Sequence, residues 1–357
     1  MPSRSARVAD CRLPRTGWRI SSLGFPRREN AIPTTGTVNY RVAMVDFPDA
    51  VATITPQAAF SLASPGAEEY FAEASHGQLK LVLTPTLRWY RMSKSFSEYG
   101  MTRLSQSYSS QGKYLREALT LASNTLDFSN TDGFVVLVDP ATTNFDNDAA
   151  FYSDPGVVVI NGHSITNGVT SGNDTRYFGP KWLNHEIGHN AGLVDLYDQR
   201  TDAAQQHHWV GDFSLMGNTA GQAPTFFAWE SWLLGWLSDD QILCAPTGNI
   251  TATLTPIEDE GGPKAVVVPI GKTTAVVVES RRAKGLDSAL TRDGALVYLV
   301  NTLINAGGAI KVLPLDDSDQ SKLSKLLSVG QSVSYQGVTV TLKSRDDGHD
   351  VITVTRT

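Results

Sequence analysis

Apolar residues follow two rhythms along the chain. Up to about residue 246, short continuous apolar runs alternate with segments of helical period; beyond it, strand-length runs follow one another with Gly- and Asp-rich breaks. Tyr40-Arg-Val-Ala-Met-Val-Asp-Phe47 reads as a buried strand stopped by Pro48 and Asp49. A helix is expected from about Pro65 to Ala74, a turn at Ser75-His76-Gly77, and strands at Leu79–Leu83 and Leu87–Met92. Leu115, Ala118, Leu119 and Ala122 mark a helix within Tyr114–Leu126. Phe134–Val138 is the kind of unbroken apolar run that is buried on both faces. Asn144–Gly156 reads as a polar loop, Val157–Ile160 as a short strand, and helices are expected around His185 and over Phe226–Leu237. After Cys244-Ala-Pro246, strands are expected at Ile250–Leu254, Ala265–Ile270, Thr274–Glu279, Ala295–Val300, Ser332–Tyr335, Val338–Lys343 and Val351–Thr355.

This pattern predicts an α+β protein in three parts. Residues 1–38, broken by Pro14, Gly17, Gly24, Pro26 and Pro33, form an irregular arm; 39–246 form a mixed α/β domain; and 247–357 form a β-rich, sandwich-like domain. With 357 residues, 41% hydrophobic and 18% charged, the chain has the material for real cores. The net charge of -6 argues against nucleic acid as a main partner. No apolar run is long enough to cross a bilayer, so no transmembrane segment is expected. The basic start, with Arg4, Arg7, Arg12, Arg15 and Arg19, lacks the apolar stretch of a signal peptide. Cys11 and Cys244 read either as two separate buried thiols or as one long-range disulfide formed in an oxidising compartment. Neither has the spacing of a cysteine metal site.

The chemistry concentrates in Lys181-Trp-Leu-Asn-His-Glu-Ile-Gly-His-Asn-Ala-Gly-Leu-Val-Asp195, which carries H-E-x-x-H at His185, Glu186 and His189. Residues four apart share one face of a helix, so two imidazoles can converge on one ion. Zinc lowers the pKa of a bound water toward neutrality, and a carboxylate alongside can take its proton and later pass it to a leaving amine. Glu186 is that general base. A catalytic zinc usually takes three protein ligands. Gly192 can turn the chain at the end of the helix, and Asp195, ten residues after His185, falls where the extended metzincin pattern has its third histidine. Asp198 is the alternative ligand. Met216, in Asp212-Phe-Ser-Leu-Met216-Gly217, is placed to form a methionine turn downstream.

These residues resemble the immune inhibitor A-type metallopeptidases. That family's zinc helix typically reads H-E-[FY]-G-H-x-L-G-L-P-D-x-Y-D; here His185-Glu-Ile-Gly-His189-Asn-Ala-Gly-Leu-Val-Asp195-Leu-Tyr197-Asp198 departs from it at Ile187, Ala191 and Val194, none of them a ligand or the base. The likeness extends to Met44-Val-Asp-Phe-Pro-Asp49, Tyr70–Leu79, Phe213–Gly217, Pro224, Glu230–Leu237 and the stretch Val278–Tyr298, about Tyr40 to Val300 in all. The resemblance implies a metzincin-like domain, a zinc endopeptidase acting on protein or peptide substrates, secretion, and often structural calcium (Ca2+) beside the catalytic Zn2+. It leaves open whether the arm is a removable propeptide.

Other candidates rank lower. His207 and His208 can orient substrate but read better as partly solvated loop residues; His163 and His76 read as structural, and Tyr197 as core packing. Asn144, Asp146, Asp148 and Asp154 offer oxygens for calcium without an EF-hand spacing and read better as a solvated acidic loop. Glu258, Asp259 and Glu260, and Asp316, Asp317 and Asp319, are weaker still. No phosphate loop and no G-x-S-x-G elbow is present. The rival readings are a non-catalytic binding protein on a peptidase scaffold and a zinc hydrolase of a non-peptide amide.

Overall fold

The structure is a computed structural model that describes residues 8–16, 21–101, 107–142, 148–200, 205–246, 249–315, 319–346 and 348–357. It divides into two compact units. One is Glu29–Ala191; the other joins Met1–Arg28 to Gly192–Thr357. This partition differs from the expected arm, domain and domain with breaks near 38 and 246. The arm belongs with the C-terminal part, and the chain crosses between units immediately after the helix that bears the histidines.

The first unit is built on a five-stranded sheet: β1 (Gly36–Asp46), β2 (Leu79–Arg91), β3 (Gly133–Leu137), β4 (Ala149–Tyr152) and β7 (Asn167–Thr170), in the order β2-β1-β3-β7-β4. The short hairpin β5 (Val159–Ile160) and β6 (His163–Ser164) stands apart. The strands β2, β1, β3 and β7 run parallel, and β4 closes one edge antiparallel to β7. Every residue of β3 is buried, as its apolar run requires. Helices α1 (Pro56–Phe60), α2 (Gly66–Ala74), α3 (Tyr108–Ala122), α4 (Asp174–Phe178) and α5 (Pro180–Asn190) complete the unit. Leu115, Ala118 and Leu119 of α3 pack with Ala43, Val45, Phe134 and Val136 of the sheet in one core. Helix α5 packs against α2, β4 and β7.

Several expectations are corrected in this unit. The strands expected at Leu79–Leu83 and Leu87–Met92 are one strand, β2. Its register against β1 shifts between Val42 and Met44, and Leu87 takes φ 48. Pro85 lies opposite Val42, and a bulge in the residues after it carries the ladder on to Trp89 opposite Met44. The expected polar loop Asn144–Gly156 contains β4, whose Phe151 is fully buried. Strand β7 was not expected, because Asn167-Gly-Val-Thr170 shows neither alternation nor an apolar run.

The second unit contains α6 (Ala228–Leu234) and two antiparallel-rich sheets. One comprises β8 (Ile242–Cys244), β10 (Ala265–Pro269), β11 (Thr274–Arg281), β12 (Gly294–Asn301) and β13 (Ile310–Val312), in the order β13-β12-β11-β10-β8. The other comprises β9 (Ile250–Leu254), β14 (Ser332–Tyr335), β15 (Val338–Arg345) and β16 (Asp350–Arg356), in the order β14-β15-β16-β9. Val266, Val278 and Val297 of the first sheet share one core with Leu254, Val340 and Ile352 of the second. Strand β8 lies before Pro246 yet pairs in parallel with β10, so the sheet draws on both sides of the expected boundary.

The arm is stitched into this unit. Cys11 and Cys244 form a disulfide with Cα atoms 5.7 Å apart, so the two cysteines are paired and not separate thiols. Arg12 pairs with Asp239 at 2.6 Å and stacks over Phe25 and Trp232. The Trp229 indole N–H donates to the Leu23 carbonyl, and Thr16 and Thr302 exchange hydroxyl bonds with each other's neighbourhood through the carbonyls of Thr302 and Pro14. Among the described residues, no helix is long and apolar enough to cross a membrane.

Candidate metal centre

Helix α5 opens with Pro180, which suits the first turn because its missing N–H would have had no partner there. It is buried almost all round, with Trp182, Leu183, His185, Glu186 and Ile187 among its buried residues. Its C-terminal turn is tied to the sheet through Asn190. The Tyr40 hydroxyl of β1 donates to Asn190 Oδ1 at 2.8 Å, the Asn190 side-chain N–H donates to the Phe151 carbonyl of β4 at 3.2 Å, and the Ile32 N–H donates to the Asn190 carbonyl. Tyr40 reaches this far only because Gly133 lies beneath it: a Cβ there would stand 2.4 Å from the tyrosine ring. The histidine-bearing turn is thus fixed from two strands. The ring centroids of His185 and His189 are 4.8 Å apart.

Glu186 is held by a main-chain donor. The Ala150 N–H, on the open edge of β4, donates to Glu186 Oε2 at 2.6 Å. A charge-assisted bond of this kind fixes the carboxylate's direction. Sequence reasoning missed Ala150, and no signal in the sequence could have found it, since the contribution is backbone.

Beyond α5 the cap residue Ala191 donates back to Ile187, and Gly192 takes φ 102, a conformation other residues rarely adopt. Asp195 follows, its Oδ2 accepting from the Gln199 side-chain N–H at 2.5 Å. Among the described residues, His185, His189 and Asp195 form the one group of three or more possible ligand side chains that could hold a metal ion; their ligand atoms lie within 4.8 Å of one another. Nitrogen and oxygen ligands on a tetrahedral zinc, at roughly 2.0–2.2 Å from the ion, stand about 3.3–3.6 Å apart. Two imidazoles with one carboxylate are a donor set zinc accepts.

Asp198 is not in the group. It is buried, and Arg200 donates to it from both backbone and side chain, which holds its carboxyl below the usual range. Met216 is fully buried in a tight turn in which the N–H groups of Gly217 and Asn218 donate to the Ser214 carbonyl. The Met216 carbonyl accepts from the Leu196 N–H at 2.9 Å, next to Asp195. His207 is half-buried with Nδ1 on the Gly217 carbonyl, and Tyr197 is half-buried. His208, expected to be partly solvated, is instead buried, with Nδ1 on the Gln205 carbonyl and Nε2 4.0 Å from Asp198. His163 is exposed on β6, and His76 sits at φ 51 in the turn after α2.

The acidic loop is corrected in part. Asp148 is only 6% exposed, and it accepts from the N–H groups of Gly172 and Asp174, so it braces the start of α4. Burial pushes its carboxyl well above the usual range, and the Asp174 charge adds to this. Asp154 is exposed, while Asn144 and Asp146 lie outside the described residues. In the other acidic stretches Asp259 pairs with Lys284, Glu260 is exposed, and Asp319 accepts from Ser321 and Ser324; Asp316 and Asp317 lie outside the described residues. Neither these carboxylates nor Glu258 joins a three-ligand group among the described residues.

Compared with known families and curated proteins, the chain matches no family model and no curated protein.

Proposed function

We propose that the protein is a zinc-dependent endopeptidase in which His185, His189 and Asp195 hold the metal and Glu186 is the general base. The observation that carries this reading is the gathering of those three ligand atoms within 4.8 Å at the helix that also bears the buried Glu186. Zinc, when bound, supplies a Lewis acid that polarises a scissile carbonyl and makes water a better nucleophile at neutral pH. The chain's own residues do the rest. Ala150 N–H fixes Glu186 Oε2, so the carboxylate keeps one orientation while it takes a proton from the attacking water. The same carboxylate returns that proton to the amine that leaves. No covalent intermediate is needed. The resemblance to immune inhibitor A-type peptidases supports a protein substrate, and the Cys11–Cys244 bridge fits an exported chain, since disulfides persist in oxidising compartments.

Zinc content of the purified protein, measured beside casein hydrolysis with and without a chelator, tests the reading. About one zinc per chain and chelator-sensitive cleavage are expected. Zinc without cleavage of casein or peptides would favour the non-catalytic scaffold, and no zinc in a folded, metal-supplemented sample would end the metallopeptidase reading.

The ligand set has its own test. Asp195→Ala is expected to weaken zinc binding at least tenfold, whereas Asp198→Ala changes it little, because Asp198 is committed to Arg200. Competition with a chromophoric chelator measures both. The reverse ranking would move the third ligand to Asp198.

A further inference from the structure

The residues that follow α5 are held by a buried chain of hydrogen bonds that begins at Glu230. This side chain, in the first turn of α6, is 0% exposed. Its Oε2 accepts from the Ser214 hydroxyl at 2.7 Å and from the Phe227 N–H at 3.0 Å, while its Oε1 is buried without a hydrogen-bond partner. Ser214 sits at φ 65, and its own Oγ accepts from the Met216 N–H at 3.2 Å. The Met216 carbonyl then accepts from the Leu196 N–H at 2.9 Å. Asp195 is the next residue.

The anchor at the far end is firm. Arg281, fully buried between Glu279 and Asp287 at 2.6 Å each, donates to the carbonyls of Thr225 and Phe226. Asp287 accepts from the Thr225 N–H and Glu279 from the Ala228 N–H. The segment entering α6 is therefore pinned to β11 on both sides of Phe227.

A buried carboxylate is an expensive way to hold one serine, because its desolvation opposes folding. Glu279 and Asp287 already outweigh the single charge of Arg281 without it. Burial pushes the Glu230 carboxyl up to about 7, against the hydrogen bonds from Ser214 and Phe227 and the charge of Arg281. Its retention at this point is accounted for if the bonds it accepts matter more than its charge.

We propose that Glu230 is a positioning residue for the metal centre: through Ser214 and Met216 it fixes Leu196, and so sets where the Asp195 carboxylate lies. The inference rests on the reading of Asp195 as a zinc ligand. It assigns Glu230 no contact with metal or substrate.

The test uses the full chain with zinc as the probe. Glu230→Ala is expected to weaken zinc binding roughly 10- to 100-fold, the usual range for losing a group that orients a ligand. Glu230→Gln keeps an oxygen to accept both bonds and is expected to recover most of that affinity. In the zinc-free protein, the Leu196 amide is expected to exchange with solvent faster in Glu230→Ala than in the wild type. A structural role alone would lower the melting temperature without moving either readout in protein that is still folded. Should Glu230→Ala fail to fold, Ser214→Ala breaks the same link by removing one hydroxyl, and about a tenfold loss is expected there. Wild-type zinc affinity in folded Ser214→Ala, with Leu196 exchange unchanged, would overturn the proposal. Failure of the underlying metal reading looks different: the wild type itself then binds no zinc, whereas Leu196 exchange still reports whether Glu230 holds the segment.

Discussion

Glu186→Gln is expected to lower kcat/KM by about a thousandfold or more while the protein keeps its full complement of zinc. Glutamine is isosteric with glutamate, and its carbonyl oxygen can still accept the Ala150 N–H that now meets Oε2 at 2.6 Å. The packing of α5 is therefore unchanged. What is lost is the capacity to take a proton, and general-base assistance of this kind contributes about 10²- to 10⁴-fold. Zinc should remain because Glu186 is outside the group formed by His185, His189 and Asp195. Metal analysis beside peptide-hydrolysis kinetics separates the two effects. Activity within tenfold of wild type would remove Glu186 from the mechanism. Loss of zinc would instead make it a ligand.

Cys11→Ser or Cys244→Ser is expected to produce the largest loss of stability of any surface-remote exchange in the second unit. The bridge spans a sequence separation of 233 residues. A loop of that length loses about 5 kcal/mol of unfolded-state freedom in the chain-entropy account. For a unit of nearly two hundred residues this corresponds to a fall in Tm on the order of 10 °C. Reduction of the wild type should reproduce the effect, and the double variant should be no less stable than either single one. Equal melting temperatures for the oxidised and reduced protein would show that the ion pair Arg12–Asp239 and the packing of Phe25 on Trp229 and Trp232 hold the arm unaided.

The parts of this architecture that were legible in the sequence are those with a local cause. The spacing of His185, Glu186 and His189 needs only a helix to place two imidazoles together, and α5 is that helix. The strands after Pro246 were legible where each carries its own apolar run and ends in its own turn; β13, three residues long, was missed, because Ile310-Lys-Val312 is too short to signal a strand and depends on β12 beside it. Two long strands, β15 and β16, even extend past the expected limits. What stayed hidden depends on partners distant along the chain. Strand β4 exists because β7 lies beside it, and Ala149-Ala-Phe-Tyr152 alone is too short to signal a strand. Asp148 reads as one more acid in a polar loop, yet its oxygens accept from Gly172 and Asp174, more than twenty residues on. Glu230 reads only as an acidic residue early in a helix; its partner Ser214 cannot be inferred from spacing. The arm reads as irregular because Pro and Gly interrupt it, and its order comes from Cys244, Asp239, Trp229 and Thr302.

The way the chain is divided also bears on how it is made. Glu29–Ala191 is one uninterrupted stretch, so all the strands and helices of that unit are available once synthesis has passed residue 191. The other unit is split, and its residues before Glu29 are made ahead of that stretch but find their partners after it. Val8–Cys11 and Leu23 wait for Trp229, Asp239 and Cys244, more than two hundred residues behind them. Chains emerge at about 5–20 residues per second, with N-terminal domains generally folding first. For several seconds, therefore, Cys11, Arg12 and Leu23 still lack those partners while the Glu29–Ala191 stretch is already complete. A ribosome stalled once residue 191 has cleared the exit tunnel should hold a protease-resistant Glu29–Ala191 core with the residues before Glu29 open to cleavage.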